Sequence, residues 1–174
     1  MPTLLLTIGK STLWAQCSTC TFTAATGGSY NLTGNQTLCV TGNVSNVSLT
    51  FTGSGNKVCV APGATWTIGS GINFSASLTI DVYGTLVANG SYNVNGTTPL
   101  AVFNIKQGGV MNTNTGGFAN NIRINNEGTL NFTSTSNISN SGSFSLINGT
   151  TGVVSATATS LFLLGTNSYV ENYN

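Results

Sequence analysis

A chain of 174 residues in which 4% are charged, none is histidine and the net charge is +1 suffices for one domain or a short solenoid. Lys57, Lys106 and Arg123 are the cations beyond the first ten residues, which leaves no electrostatic footprint for nucleic acid and no polybasic patch for a membrane surface. Glycine (22 residues), asparagine, serine and threonine dominate, and β-branched residues outnumber long helix formers, so strands are favoured over helices.

Residues 1–15 hold an apolar run, Leu4-Leu5-Leu6-Thr7-Ile8, and then Leu13-Trp14-Ala15 before Gln16. The segment reads as a secretory signal peptide cleaved after Ala15, with an N-terminal capping strand as the alternative. It is far short of the roughly 20 residues of a membrane-spanning helix, and no membrane insertion is expected.

Residues 16–41 form a cysteine-containing cap and first coil. Cys17, Cys20, Cys39 and Cys59 are an even set behind a signal-like segment, which points to disulfides. A four-thiolate zinc site would want a second close pair, and Cys39 and Cys59 are 20 positions apart. Leu38-Cys39-Val40 and Val58-Cys59-Val60 occupy equivalent places, so with the flanking residues inward both cysteines point outward on neighbouring strands. Three pairings are possible; Cys39–Cys59 with Cys17–Cys20 is the favoured one, from the strand spacing of about 4.8 Å.

Residues 42–174 repeat one pattern. Apolar residues alternate with polar ones before and after a glycine: Leu78, Ile80 and Val82 before Gly84 with Leu86 after it, and Ile122 and Ile124 before Gly128 with Leu130 and Phe132 after it. Alternation of period two puts the apolar set on one face of a strand. The anchors Gly42, Gly63, Gly84, Gly109, Gly128 and Gly152 are 21, 21, 25, 19 and 24 residues apart, the Gly63 coil needing a one-residue shift. Repeats in the twenties without a helical segment predict an all-β fold, a single-stranded parallel β-helix of right-handed sense with 19–25 residues per coil. Ile80, Ile105, Ile124 and Leu146 should then pile into one inner column, in a rod of six or seven coils. Asn89-Gly90, Asn95-Gly96 and Asn148-Gly149 mark corners, and Ser91–Gly96 reads as a third short strand. The pattern stops in mid-repeat, which reads as a truncated solenoid whose end is covered by further coils or by copies of itself.

Chemistry has few candidates. Asp81 and Glu127 lie two coils apart, about 10 Å along the axis, too far for a retaining carboxylate pair. Asp81 and Lys106 stand equally far before their anchors and are expected to pair across adjacent strands. Without histidine no hydroxyl has an obvious base, and neither phosphate cradles nor calcium loops occur. No catalytic, metal or cofactor-binding residue is assigned. Asn31, Asn43, Asn46, Asn73, Asn131 and Asn137 head N-x-S/T triplets, which an Asn/Ser/Thr-rich chain produces by chance. The T-x-T pairs Thr50/Thr52, Thr65/Thr67 and Thr157/Thr159 start at different distances from their anchors, so they make no single ladder, and Trp66, Tyr83 and Tyr92 make no aromatic row for sugars.

The opening Leu13-Trp14-Ala15-Gln16-Cys17-Ser18-Thr19-Cys20, followed by Gly/Asn/Thr-rich coils with Gly84-Thr85-Leu86 and Gly128-Thr129-Leu130, resembles the amino-terminal β-helical region of large secreted bacterial surface proteins of the adhesin kind. That resemblance implies a secreted, cell-surface structural or adhesive rod whose partners are further coils or surface glycans. The alternatives are an extracellular module binding carbohydrate or ice on one face, and the remnant of a β-helical polysaccharide-degrading enzyme.

Overall fold

The computed structural model describes residues 15–69, 72–89, 92–94, 101–114, 117–119, 121–133, 138–140, 142–157, 162–163 and 167–174. The proposed signal segment lies almost wholly outside them. Among the described residues there is no α-helix, and every strand pairing is parallel. The chain is a β-solenoid with three faces. The first face stacks eight strands: Phe22–Thr23, Thr37–Val40, Asn56–Val60, Leu78–Val82, Ala101–Ile105, Ile122–Asn126, Phe144–Asn148 and Tyr169–Asn172. The second stacks six: Asn43–Ser45, Thr65–Ile68, Thr85–Ala88, Val110–Thr113, Thr129–Phe132 and Val153–Ala156. The third is split into Ser29–Leu32 with Ser48–Phe51, and a five-stranded sheet beginning at Ile72–Phe74 and Tyr92–Val94. Seven steps of about 4.8 Å make the first face about 34 Å long.

Alternation holds one side dry along the strands from Asn56–Val60 to Phe144–Asn148 on the first face and from Thr65–Ile68 to Thr129–Phe132 on the second. On the first face Leu38, Val58, Ile80, Phe103, Ile124 and Leu146 share an inner column, nearly all of them completely buried. Phe103, rather than the expected Ile105, stands between Ile80 and Ile124. Ile105 belongs to the next column, after Val60 and Val82. On the second face Val44, Trp66, Leu86, Met111 and Leu130 stack in register. The rings of Phe51 and Phe74 lie 5.7 Å apart, and Phe74 and Phe103 meet edge to face at 6.3 Å. Apolar burial along a continuous core stabilises each coil only through its neighbours.

Corners between the first and second faces alternate in length. Two-residue corners (Thr41-Gly42, Tyr83-Gly84, Glu127-Gly128) alternate with four-residue ones, Ala61–Ala64, Lys106–Gly109 and Gly149–Gly152. Each long corner is closed by a turn hydrogen bond, Ala64 N to Ala61 O (3.0 Å), Gly109 N to Lys106 O (2.8 Å) and Gly152 N to Gly149 O (3.0 Å). Pro62-Gly63 supplies the fixed φ and the positive φ of 76° that a type II turn requires. This corrects one anchor. Register aligns Gly42, Ala64, Gly84, Gly109, Gly128 and Gly152, so Gly63 is the turn centre and Ala64 the equivalent position. The long corner also displaces Lys106, which falls beside Tyr83 and Glu127; the expected Asp81–Lys106 pair does not form.

At the amino end, Ala15–Cys17 makes a 3-10 turn, and the strap to Cys20 crosses the outside of the first face. Cys39 and Cys59 are in-register neighbours, and both are buried beneath the strap. The disulfides are Cys17–Cys59 and Cys20–Cys39, with Cα separations of 5.8 and 5.5 Å, so the favoured pairing is wrong. Neighbouring parallel strands project their Cβ atoms side by side at about 4.8 Å, whereas a disulfide wants Cβ atoms about 3.8 Å apart and converging. A strap arriving from outside meets that need. Nearby, Phe22 packs tilted against Tyr30 with ring centroids 6.1 Å apart, while the Tyr30 hydroxyl donates to Thr23 O (3.0 Å) and accepts from Ala25 N (2.8 Å).

Candidate functional site

The carboxylates are spread out and engaged by neutral donors. Asp81 sits in an outward column with Asn104 and Asn125; Asn104 Nδ2 donates to Asp81 Oδ1 at 2.7 Å and Asn125 Nδ2 to Asn104 Oδ1 at 2.8 Å. Glu127 stands two coils further on at a corner, where Thr151 Oγ1 donates to its Oε2 at 2.9 Å. Glu171 accepts from the Tyr173 hydroxyl at 2.8 Å, and that bond pushes the phenol pKa up. Asp81 and Glu127 thus do not converge on one reacting atom. Among the described residues no three His, Cys, Asp or Glu side chains gather as a metal site would require, and no helix is long and apolar enough to cross a membrane.

Asparagine ladders inside the rod escape a reading based on corners. Where earlier coils carry Val60, Val82 and Ile105, later ones carry Asn126, Asn148 and Asn172. Asn126 Nδ2 donates to Asn148 Oδ1 (2.7 Å), and Asn148 Nδ2 to Asn172 Oδ1 (2.9 Å) and Gly152 O (3.0 Å). Asn126 Oδ1 in turn accepts from Gly128 N (3.2 Å). Asn126 and Asn148 are buried with their amides fully engaged, which makes their desolvation tolerable, while Asn172 at the end of the ladder is exposed. Their recurrence just before the corners was the available signal.

Two outer surfaces are candidates for binding. The second face presents Asn43/Ser45, Thr65/Thr67, Thr85/Val87, Val110/Asn112, Thr129/Asn131 and Val153/Ser155 in two straight outward columns without a charge. Of the three T-x-T pairs only Thr65/Thr67 lies there. Thr50 is on the third face, and Thr159 lies outside the described residues. The column is therefore built from mixed Thr, Val, Asn and Ser, which a search for T-x-T alone does not detect.

The other surface is a cleft of about 410 Å³ in the third face, where the ladder between Ser48–Phe51 and Ile72–Phe74 is interrupted. Its floor is Trp66, Ile68, Leu49, Phe51 and Ile72, and its rim carries Ser48, Thr50, Thr52, Asn73 and Ser75. Most Cα distances between the two strands exceed 8 Å, against about 4.8 Å in a ladder. A side-chain bond, Ser75 Oγ to Phe51 O at 3.1 Å, reaches across the gap. The cause is local. The corner before Ser48 holds Asn46 at φ 55° and Val47, so only two residues separate Ser48–Phe51 from Asn43–Ser45. Trp66 also occupies the place that Val44 and Leu86 fill in adjacent coils.

At the last described coil the inward Val154 and Val170 are 38% and 50% exposed around a cavity of about 400 Å³ with Leu146 in its wall. Comparison with protein-family models, curated proteins and solved structures finds no match for this chain.

Proposed function

We propose that this chain is a rigid, non-catalytic rod of a secreted or cell-surface structural or adhesive protein. The observation that carries the reading is the parallel first face, eight strands long over one dry core, clamped by two disulfides. Disulfides form and persist in oxidising compartments, and a rod solubilised by amides and hydroxyls instead of charge needs no counter-ions. The dispersed carboxylates support the non-catalytic part, and the exposed inner residues Val154 and Val170 support end-on contact with further coils or copies. Electron microscopy with size-exclusion chromatography of the purified chain tests this: short rods or end-to-end strings are expected. Compact monomeric particles with four titratable thiols would overturn it.

The uncharged columns of the second face favour a second reading, recognition of ice or of a flat carbohydrate surface. Thermal hysteresis and pull-down on insoluble polysaccharide, with Thr85→Tyr as the interrupting variant, distinguish it from a bare rod.

A further inference from the structure

The interrupted ladder in the third face leaves two strand edges facing each other across an apolar floor. In a parallel ladder, successive residues of a strand direct their N–H and C=O groups alternately to the two neighbours. Ser48 N donates to Gly28 O and Thr52 N to Leu32 O, both towards the strand Ser29–Leu32. The intervening Leu49 and Phe51 therefore turn their backbone groups to the cleft, where the Phe51 carbonyl already accepts from Ser75 Oγ at 3.1 Å, and the strand Ile72–Phe74 forms the opposite wall. These walls offer donors and acceptors in the order of a strand edge. The gap is wider than a ladder step, with most Cα distances across it beyond 8 Å against about 4.8 Å, and it narrows at the Phe51 end, where Ser75 Oγ reaches Phe51 O.

We propose that this cleft is an acceptor site for an extended, uncharged peptide segment of a partner protein, taken up by strand addition between Ser48–Phe51 and Ile72–Phe74. The main-chain bonds supply affinity, as in other strand-addition modes. Alternate apolar side chains of the segment enter towards Leu49, Trp66, Ile68 and Ile72, while its other side chains meet Ser48, Thr50 and Asn73 at the rim. No cation or carboxylate lines the cleft, so a charged segment would lose hydration without compensation. Apart from the Ser75 bond to Phe51 O, the strand edges that a protein normally hides are here left without a ladder partner at one coil step.

The test uses the whole chain, labelled for amide hydrogen exchange. The probe is an acetylated and amidated peptide, Gly-Ser-Tyr-Asn-Leu-Thr-Gly, copied from this chain's own third-face strand around Ser29–Leu32. In the free protein the amides of Leu49 and Phe51 should exchange at least tenfold faster than that of Thr50. Addition of the peptide should slow them at least tenfold and leave the second face unchanged. A peptide N-methylated at its central residues should lose the effect, and Leu49→Trp, which fills the cleft, should weaken binding at least tenfold. Thr85→Trp on the second face controls for surface change and should bind normally. Three results would overturn the proposal: equal protection of Leu49 and Thr50 in the free chain, no response to millimolar peptide, or unchanged binding of the N-methylated form. The last would mark a pocket for small apolar molecules instead.

Discussion

Thr113 is the residue the core holds least well. Its hydroxyl is completely buried, points inward between Ala88 and Phe132, and has no hydrogen-bond partner among the described residues. An unmet buried hydroxyl costs on the order of 1–3 kcal/mol, so Thr113→Val is expected to stabilise the chain by about 1 kcal/mol, read from a denaturant midpoint at unchanged slope. The buried asparagines behave oppositely, because each amide is used: Asn148→Leu should cost about 1–2 kcal/mol by taking one acceptor from the buried Asn126 amide. Titration adds little near neutrality, since the chain has no histidine. Burial first, and then the nearby Asp81 charge, raise the pKa of Tyr83. A raised folded value means stability is intact below the ordinary tyrosine value and is lost as pH climbs through the folded one. Thermal midpoints should therefore decline only above about pH 10. Of these features, the alternating apolar residues were legible in sequence. The inner Asn126 and Asn148 were not, because asparagine is also the residue of corners and their partners lie more than twenty positions away.

Strands and corners show where periodicity suffices and where it fails. Leu78–Val82 and Ile122–Asn126 follow directly from their alternation, and the stacking of Cys39 beside Cys59 follows from equivalent positions. The corners do not, because inserted residues keep the strands in register while shifting any count made from glycines. Gly84 and Gly42 occupy the same place in corners of equal length, yet their surroundings differ. A Cβ on Gly84 would strike the carbonyl oxygens of Ala61 and Ala64, part of the four-residue corner beneath, whereas one on Gly42 would meet nothing within 4 Å. Gly84→Ala should thus destabilise by about 1–3 kcal/mol. Gly42→Ala should be neutral or stabilising by up to about 1 kcal/mol. Thermal melts of the pair decide, and equal shifts would contradict the corner alternation. The disulfide pairing was illegible for a related reason: whether a strap lies in the sheet or across it depends on direction in space, not on spacing along the chain.

At the level of the whole molecule the crosslinks have a mechanical consequence. The Cys17–Cys59 bond encloses the Cys20–Cys39 loop, and 42 positions separate its ends. When the chain is pulled from its termini, the intervening residues carry no load until that bond is reduced. A single-molecule force trace of the oxidised chain should fall short of the reduced one by about 150 Å of contour, from about 3.5 Å per residue. Its first coils would behave as a knot of fixed length, while those beyond Val60 pay out under tension like line from a reel.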